Sequence, residues 1–293
     1  MKLVSWNTQW CCGLDGVVSP ARIVDQARAL ADFDVLCLQE IASGFEGLPG
    51  APADQPQQLA LLLPGYRVFF GAAVDEFDAA GRRRRFGNLI ATRLPVLSVQ
   101  HHPLPWPADP CVPSMPRMCT VVTVLSPQLG AVRVMTTHLA YYSVRQRQAQ
   151  VQALRALHRQ ACTLAWAPPQ PEPGPSPFEA RTHTLHAVLC GDFNFDPDSA
   201  EYAALQAVFG SDGDAEPGHA SRQEGWRDAW TVCHPGVAHA PTFRVFDRQY
   251  GPDPVACDFF WISHSLTGCV RQVAVDGQAQ ASDHQPVLLA LGA

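Results

Sequence analysis

Short apolar runs alternate with segments of helical periodicity along the whole chain. The run 35–38 is entirely apolar, which is typical of a strand buried on both faces. Ser19 and Pro20 suit the N-cap and first turn of a helix, and apolar residues from Ile23 to Leu30 then recur at helical spacing. Many short strands with few helices predict an α/β fold in which two packed sheets carry helices on their outer faces.

The same pattern places the other elements. Predicted strands cover residues 2–6, 35–38, 66–70, 88–91, 96–100, 119–125, 132–137, 185–190, 258–262, 268–275 and 286–291. One predicted helix begins at Pro20, and two more cover about 143–162 and 200–209. No internal repeat of the kind found in solenoids interrupts this order. We therefore expect a single domain over residues 1–293.

A proline-rich segment lies between the second and third predicted helices. Six of the ten residues 168–177 are proline, so this stretch is extended and lacks regular hydrogen bonding. A domain linker is one interpretation. The polar motifs described next fall on both sides of it, which favours a surface excursion at about 167–178 within one domain.

Polar residues stand where the apolar runs end or begin. In a mixed sheet, the carboxyl end of one strand lies beside the amino end of its antiparallel neighbour, so these residues can share one edge. Each alone is typical of a turn or a helix cap. Together the pattern predicts a convergent set: Asn7, Glu40, His138, Asp192, Asn194, Asp258, Asp283 and His284.

Four carboxylates in this set would repel one another unless a cation lay among them. Oxygen ligands from Glu40, Asp283 and an asparagine amide suit Mg²⁺, with Mn²⁺ as a possible substitute. The ten cysteines contain no C-x-x-C pair, so a zinc ribbon is not indicated and free thiols are expected.

The ordered motifs W-N, L-Q-E, T-H-L, G-D-F-N, C-D-F and S-D-H run from Trp6 to His284. In this series the chain closely resembles the endonuclease/exonuclease/phosphatase superfamily, as a cytoplasmic member of bacterial type. The resemblance covers essentially the whole chain. It implies a four-layer α/β/β/α sandwich of two mixed β-sheets, similar to deoxyribonuclease I, and a metal-dependent phosphoric ester hydrolase.

The resemblance also implies a role for each residue. The metal ligands would be Glu40, with Asn7 beside it, and Asp283. Asp192 matches the aspartate that activates the attacking water, and Asn194 matches the residue that orients the water or a phosphate oxygen. His284 with Asp258 matches a buried His–Asp couple, and His138 matches a donor to a phosphate oxygen. Whether Asp192 or His284 is the general base is left open.

Candidate phosphate contacts are less well defined. The run Arg82–Arg85 is predicted to form a turn between strands, and it is either a solvated basic turn or a contact for a polyanion. Arg85 and the nearby Asn88 are candidates because, in the family, the matching strand starts near the active site. Arg145 could approach the cleft from the start of its helix.

Composition limits the partners. Charged residues make up 16% and the net charge is −6, which argues against a sequence-blind coating of nucleic acid. There is no apolar run of membrane-spanning length, and the first residues read as a strand rather than a signal peptide. We expect a cytoplasmic protein that binds a phosphate-ester substrate and is a monomer.

Two classes of function compete. The first is a Mg²⁺-dependent hydrolase of a phosphodiester, with nucleic acid or a nucleic-acid adduct favoured as substrate. A phosphatase or phospholipase C-type enzyme acting on inositol phosphates, sphingolipid or small phosphoesters is the enzymatic alternative. The second class is an inactive binding module on the same fold, which should lack at least one key residue; all eight are present.

Overall fold

Two mixed β-sheets of six strands each form the centre of the protein in the computed structural model, which describes residues 1–174, 176–209 and 224–293. In chain order the strands are β1 (Lys2–Asn7), β2 (Val35–Ser43), β3 (Arg67–Phe77), β4 (Arg83–Thr92), β5 (Val96–Pro103), β6 (Met118–Ser126), β7 (Gly130–His138), β8 (Ala187–Asp192), β9 (Trp226–Asp228), β10 (Asp258–Ser263), β11 (Val270–Val275) and β12 (Val287–Leu291). The helices are α1 (Pro20–Leu30), α2 (Gln55–Leu62), α3 (Val144–Trp166), α4 (Ala200–Gln206) and α5 (Ala229–Cys233), with a 3₁₀ turn at His264–Cys269.

The two sheets have matching topologies. Their strand orders are β11-β12-β1-β2-β4-β3 and β5-β6-β7-β8-β10-β9. The central pair of each sheet is parallel, β1 with β2 and β7 with β8, whereas the other neighbours are antiparallel. The carboxyl ends of the central strands therefore lie beside the amino ends of β12, β4, β6 and β10.

Alternation along the central strands creates three apolar layers. In β1, Leu3 belongs to the cluster between the sheets, whereas Val4 packs against α1. In β8, Val188 faces the space between the sheets and Leu189 packs towards α3. Because both faces of each central strand are covered, the runs are apolar throughout. The predicted α/β/β/α sandwich of two mixed sheets is confirmed.

Several elements lie outside the predicted pattern. Helix α2 was not predicted because its apolar residues follow one another at 59–62 instead of recurring at helical spacing, and of its residues only Gln55 and Leu59 are buried. It begins after Asp54, whose side chain accepts a hydrogen bond from the backbone N–H of Gln57. The short α5 and its preceding β9 were also missed, since neither is long enough to show a period.

The arginine run was assigned to a turn, and this was wrong for three of its four residues. Arg83 to Arg85 lie in β4, which begins five residues earlier than predicted and pairs with β3. Acidic residues on β3 face them across the hairpin, so that Arg83 pairs with Asp75 and Arg84 with Glu76. The true turn ends at Arg82, which pairs with Asp78 and Glu46.

Two backbone features set the ends of the central strands. A bulge in β2 between Leu38 and Ile41 holds Glu40 at a φ of 60°, a left-handed conformation that redirects its side chain. Gly191 in β8 has a φ of 136°, and a Cβ atom there would lie 1.9 Å from the backbone oxygen of Thr137 on β7. Only glycine fits this position, next to Asp192.

The proline-rich segment follows α3 and precedes β8, within the connection between the neighbouring parallel strands β7 and β8. Its described residues are largely exposed; Pro175 lies outside the described residues. No helix in the described part of the chain has the length and apolar character needed to cross a membrane.

We expect Gly191→Ala to lower the free energy of unfolding by about 1–3 kcal/mol, because the new methyl group strains the backbone against β7. Urea denaturation measures the change. Gly268→Ala is the matched control, since a methyl group there meets open space. Equal losses of stability in both variants would contradict the strain at Gly191.

Candidate active site

A cavity of about 230 Å³ opens at the edge where the central strands end. Two of the eight convergent residues, Asn7 and Asp258, are buried directly behind it and hydrogen-bonded to lining residues. The other six line it: Glu40, His138, Asp192, Asn194, Asp283 and His284. The structure thus brings together the whole set selected from strand ends.

One carboxylate oxygen, Oδ2 of Asp192, is the meeting point of the site. Asn7 Nδ2 donates a hydrogen bond to it over 2.9 Å, and Nε2 atoms of His138 and His284 lie 3.4 and 3.7 Å away. The other oxygen accepts the backbone N–H of Asn194 over 2.9 Å. Burial raises the pKa of Asp192 to about 6, although the nearby His284 charge opposes this shift. A carboxylate with this pKa can accept a proton near neutral pH.

Glu40 and Asp283 supply oxygen ligands to the same cavity. Burial and the charge of Asp283 raise the pKa of Glu40 to about 7, and burial raises the pKa of Asp283. Two desolvated carboxylates that repel each other are stabilised by a divalent cation between them. Because both are hard oxygen donors, this pair fits Mg²⁺ or Mn²⁺.

Asn7 connects the two halves of the site. Its Nδ2 donates both to Asp192 and, over 3.2 Å, to Oε1 of Glu40, while its Oδ1 accepts the backbone N–H of Gln9. In this arrangement the amide orients both carboxylates and does not present its oxygen to the cavity. The metal-ligand role of Asn7 stays a prediction.

His284 is held from both sides. Its Nδ1 donates to Oδ2 of Asp258 over 2.9 Å, and the ring of Phe243 stacks on it with centroids 4.3 Å apart. The hydroxyl oxygen of Thr242 accepts the backbone N–H of Asp258, which fixes that carboxylate. Burial opposes the charged imidazole, but the Asp258 and Asp192 carboxylates raise the pKa of His284 well above its usual value. His284 is therefore a cation at neutral pH.

His138 has the opposite protonation. Burial lowers its pKa well below the usual value, and the charges of Arg117 and His284 add to the shift. A neutral imidazole can donate one hydrogen bond without adding charge. Asn194 beside it has a left-handed backbone, and its side chain donates to the carbonyl of Leu139 over 3.0 Å, which fixes its orientation.

The three candidate phosphate contacts do not line the main cavity. Arg85 pairs with Asp54, and Arg145 is exposed, with its guanidinium donating to the carbonyl of Ala108. Asn88 is buried and donates to the carbonyl of Met118, next to a small pocket that adjoins the site. None of these side chains reaches the catalytic carboxylates, and their phosphate contacts stay predictions.

Arg117 is the residue that the sequence analysis missed. It lines the cavity, is 9% exposed, and its Nε and Nη1 have no hydrogen-bond partner. It stands immediately before β6, whose first residues pair with the end of β7 near His138. The other residues were selected because they stand where apolar strands end or begin, and Arg117 stands at such a position too. A buried guanidinium without a partner is suited to bind an anion.

Four aromatic side chains on one side of the cavity were also missed. We call them the aromatic wall: Tyr141, Tyr142, Phe243 and Tyr250. Tyr141 and Tyr142 follow β7, while Phe243 and Tyr250 belong to the long connection between α5 and β10. That connection has no periodicity, so the sequence gives no signal that places its rings at the site.

Solved structures with this architecture cover nearly the whole chain. An endonuclease/exonuclease/phosphatase from Beutenbergia cavernae is 24% identical, with a TM-score of 0.64, over 100% of this chain and 72% of that one. The mannosyl-6-phosphatase Bt3783 of Bacteroides thetaiotaomicron is 19% identical, with a TM-score of 0.66, over 99% of both chains. A humanized TDP2 from D. rerio is 18% identical, with a TM-score of 0.60, over 100% of this chain and 99% of that one.

Similarity at these sequence identities shows that the chains share a fold. It does not show that they share a substrate. No curated protein sequence matches the chain at a significant level. The model of the Endonuclease/Exonuclease/phosphatase family matches residues 4–284, from within β1 to the histidine that precedes β12. The chain therefore belongs to the endonuclease/exonuclease/phosphatase family.

Proposed function

We propose that the protein hydrolyses a phosphodiester with the help of Mg²⁺, for which Mn²⁺ can substitute. Members of its family are generally hydrolases of phosphoesters and usually use a divalent metal ion. The observation that carries the proposal is the contact of three side chains with one oxygen of Asp192, beside a buried arginine without a partner. Such a set activates water and binds a phosphoryl group in the same place.

Glu40 and Asp283 would hold the cation, because both carboxylates line the cavity and repel each other. A bound divalent cation neutralises the negative charge that develops on the phosphoryl oxygens. Asn7 keeps Glu40 close to Asp192 through its amide nitrogen. This link would keep a ligand of the cation and the residue that activates water close together.

Asp192 is the general base in this proposal. Its pKa of about 6 makes it an effective proton acceptor at neutral pH, whereas His284 already carries its proton. The water oxygen forms a bond to phosphorus as its proton passes to Asp192, and the bond to the leaving oxygen breaks. The leaving oxygen takes a proton from solvent and Asp192 releases its proton to solvent, so that one water is consumed for each ester cleaved.

The phosphoryl oxygens are held by groups with different protonation. Arg117 and His284 contribute positive charge, and neutral His138 contributes an N–H donor. Asp258 keeps the His284 imidazolium in place. Because these groups are positioned before the substrate binds, they stabilise the charge of the transition state without reorganising.

A phosphatase that acts on a terminal phosphate is the second candidate. The cavity is small, and Arg117 is the one arginine among its described lining residues, which also suits a single monoester group. The structural similarity to a mannosyl-6-phosphatase covers the full length of both chains. Phosphodiester and phosphomonoester substrates must therefore be compared in the same assay.

Asp192→Asn should lower the rate of phosphoester hydrolysis by about 10²–10⁴-fold, because the amide cannot accept the proton of water. The assay is a panel in Mg²⁺ or Mn²⁺ of DNA, RNA, an abasic-site duplex, sphingomyelin, inositol phosphates and simple diesters and monoesters. Asp198→Asn, on the exposed turn that follows β8, is the control and should keep full activity. Hydrolysis that persists in EDTA or in Asp192→Asn would refute the mechanism.

Cation affinity should fall by up to about tenfold per pH unit below pH 7, because protons compete for a ligand whose metal-free pKa is about 7. Glu40 is charged above this pKa and neutral below it, so binding is strongest at pH 8. Titration calorimetry with Mn²⁺ at pH 5.5, 6.5 and 8 measures the trend.

Glu40→Gln should weaken Mn²⁺ binding by at least about tenfold and flatten its dependence on pH. Glu46→Gln is the matched control, because Glu46 is exposed and pairs with Arg82 on the surface. An unchanged affinity in Glu40→Gln would exclude this residue as the principal ligand.

Arg117→Met should lower kcat/KM by about 10²–10³-fold, which is the usual cost of one missing transition-state donor. It should not lower the melting temperature, since the guanidinium nitrogens Nε and Nη1 lose no hydrogen bond. Arg28→Met, on the exposed face of α1, controls for the loss of a positive charge. Normal kcat/KM in Arg117→Met would show that the phosphate is held elsewhere.

A further inference from the structure

We infer that the phosphoester taken by this site carries a planar aromatic ring next to its scissile phosphate, and that the aromatic wall binds this ring. The inference rests on the proposed function and adds the chemical class of the substrate. It depends on three features of the cavity: a continuous row of aromatic rings, a small volume and a single arginine among its described lining residues.

The rings of the aromatic wall form a row that starts at the catalytic histidine. Phe243 stacks on His284, Tyr250 follows at 6.0 Å from Phe243, and Tyr141 lies 6.2 Å from Tyr250. Tyr142 ends the row, with its ring centroid 4.8 Å from that of Tyr141. These are the spacings of edge-to-face and tilted aromatic contacts. A ring attached to a phosphate beside His284 would join the same row.

The three tyrosines keep a large part of their surface open. Tyr141, Tyr142 and Tyr250 are 38%, 54% and 43% exposed, although they stand beside buried catalytic groups. Stacking a planar group on such rings buries apolar area from both partners, and for nucleic-acid bases it contributes about 1–3 kcal/mol per base. An aromatic substituent thus gains affinity here that an equally large aliphatic one does not.

The remaining walls limit the size of this substituent. Trp10, Phe86 and Met115 also line the cavity, so its apolar lining continues beyond the wall. The volume of about 230 Å³ is below the ~300–1,000 Å³ that is usual for sites of drug-sized ligands. It accommodates a phosphoryl group with one ring, and a longer substrate must continue outside the cavity.

The charges argue against a second phosphate. Among the described lining residues Arg117 is the one arginine, and none is a lysine. The arginine run on the neighbouring hairpin is engaged by acidic side chains: Arg82 by Glu46 and Asp78, Arg83 by Asp75, Arg84 by Glu76 and Arg85 by Asp54. A polyphosphorylated sugar would find no matching cations, whereas a single phosphate with a ring would find both of its partners.

The binding of phosphonates, which are not hydrolysed, tests the preference for an aromatic ring without measuring hydrolysis. Benzylphosphonate and cyclohexylmethylphosphonate have the same number of carbons and differ in aromaticity, so titration calorimetry in Mn²⁺ isolates the ring. We expect benzylphosphonate to bind about tenfold more tightly. A 5′-phosphonate analogue of thymidine identifies the source of the ring, because tighter binding than benzylphosphonate indicates a nucleobase and weaker binding another aryl group. Equal affinities for the benzyl and cyclohexylmethyl compounds would overturn the inference.

Substitutions in the aromatic wall test which side chains contact the ring of the ligand. Tyr250→Ala and Tyr141→Ala should each reduce the aromatic preference, while Tyr250→Phe and Tyr141→Phe retain it. Affinity for inorganic phosphate, measured in the same variants, should stay unchanged and shows that the rest of the site is intact. Phe77→Ala, at an exposed phenylalanine on the carboxyl end of β3 that does not line the cavity, is the control. An aromatic preference that survives both alanine variants would also overturn the inference.

The two proposals fail in different ways. Absence of hydrolysis across the substrate panel contradicts the proposed function, and it leaves the phosphonate affinities measurable. Equal phosphonate affinities contradict the aromatic class of substrate alone, even if simple diesters are hydrolysed.

Discussion

The contacts of one oxygen atom, Oδ2 of Asp192, constrain both the packing of the sheets and the chemistry of the site. Asn7 reaches it from the end of β1, His138 from the end of β7 and His284 from the turn before β12. Since these elements belong to different sheets, the two sheets must pack with their strand ends in register. A buried carboxylate without polar or charged partners strongly destabilises a folded protein. These contacts are therefore required for folding as well as for the proposed catalysis.

The charges around this oxygen are not balanced by the protein alone. Three buried carboxyl groups and the partly buried Glu40 share the edge with two cationic groups, Arg117 and His284. Burial is the main cause of the raised pKa values of Glu40 and Asp192, about 7 and 6, and the neighbouring carboxylates add to both shifts. A bound cation would offset the excess negative charge and lower the pKa values of both carboxyl groups. Metal binding would therefore be coupled to the protonation of Glu40 and of Asp192, the proposed base. The strain in the β2 bulge at Glu40 belongs to the same arrangement, because it directs this carboxylate into the cavity.

The sequence predicts the carboxylates and histidines at the cavity well, and it predicts the arginine and the aromatic rings of the cavity poorly. Asp192 and His284 follow from a simple rule, because apolar strands locate their own ends and the sheet brings these ends together. Arg117 also stands at a strand end. The run of four arginines instead suggested Arg85 as the phosphate contact, and Asp54 neutralises the charge of Arg85. Pairing between side chains distant in sequence decides which arginine is free, and periodicity does not record such pairing. Tyr250 lies in an irregular connection, where only tertiary packing sets its position.

The carboxylates and histidines are attached to strand ends, whereas the aromatic rings are attached to connections between elements. This explains why the first group is easier to predict than the second. Strand ends are fixed by backbone hydrogen bonds on both sides, so they hold the reacting groups to within a fraction of an ångström. The aromatic wall stands on connections, which tolerate changes in length and sequence without disturbing the sheets. Thr242 joins the two parts, because its hydroxyl accepts the N–H of Asp258 while the adjacent Phe243 stacks on His284. A change in the connection between α5 and β10 can therefore alter the binding of the proposed aromatic ring and leave the proposed base and metal ligands in place, provided that Thr242 and Phe243 are kept.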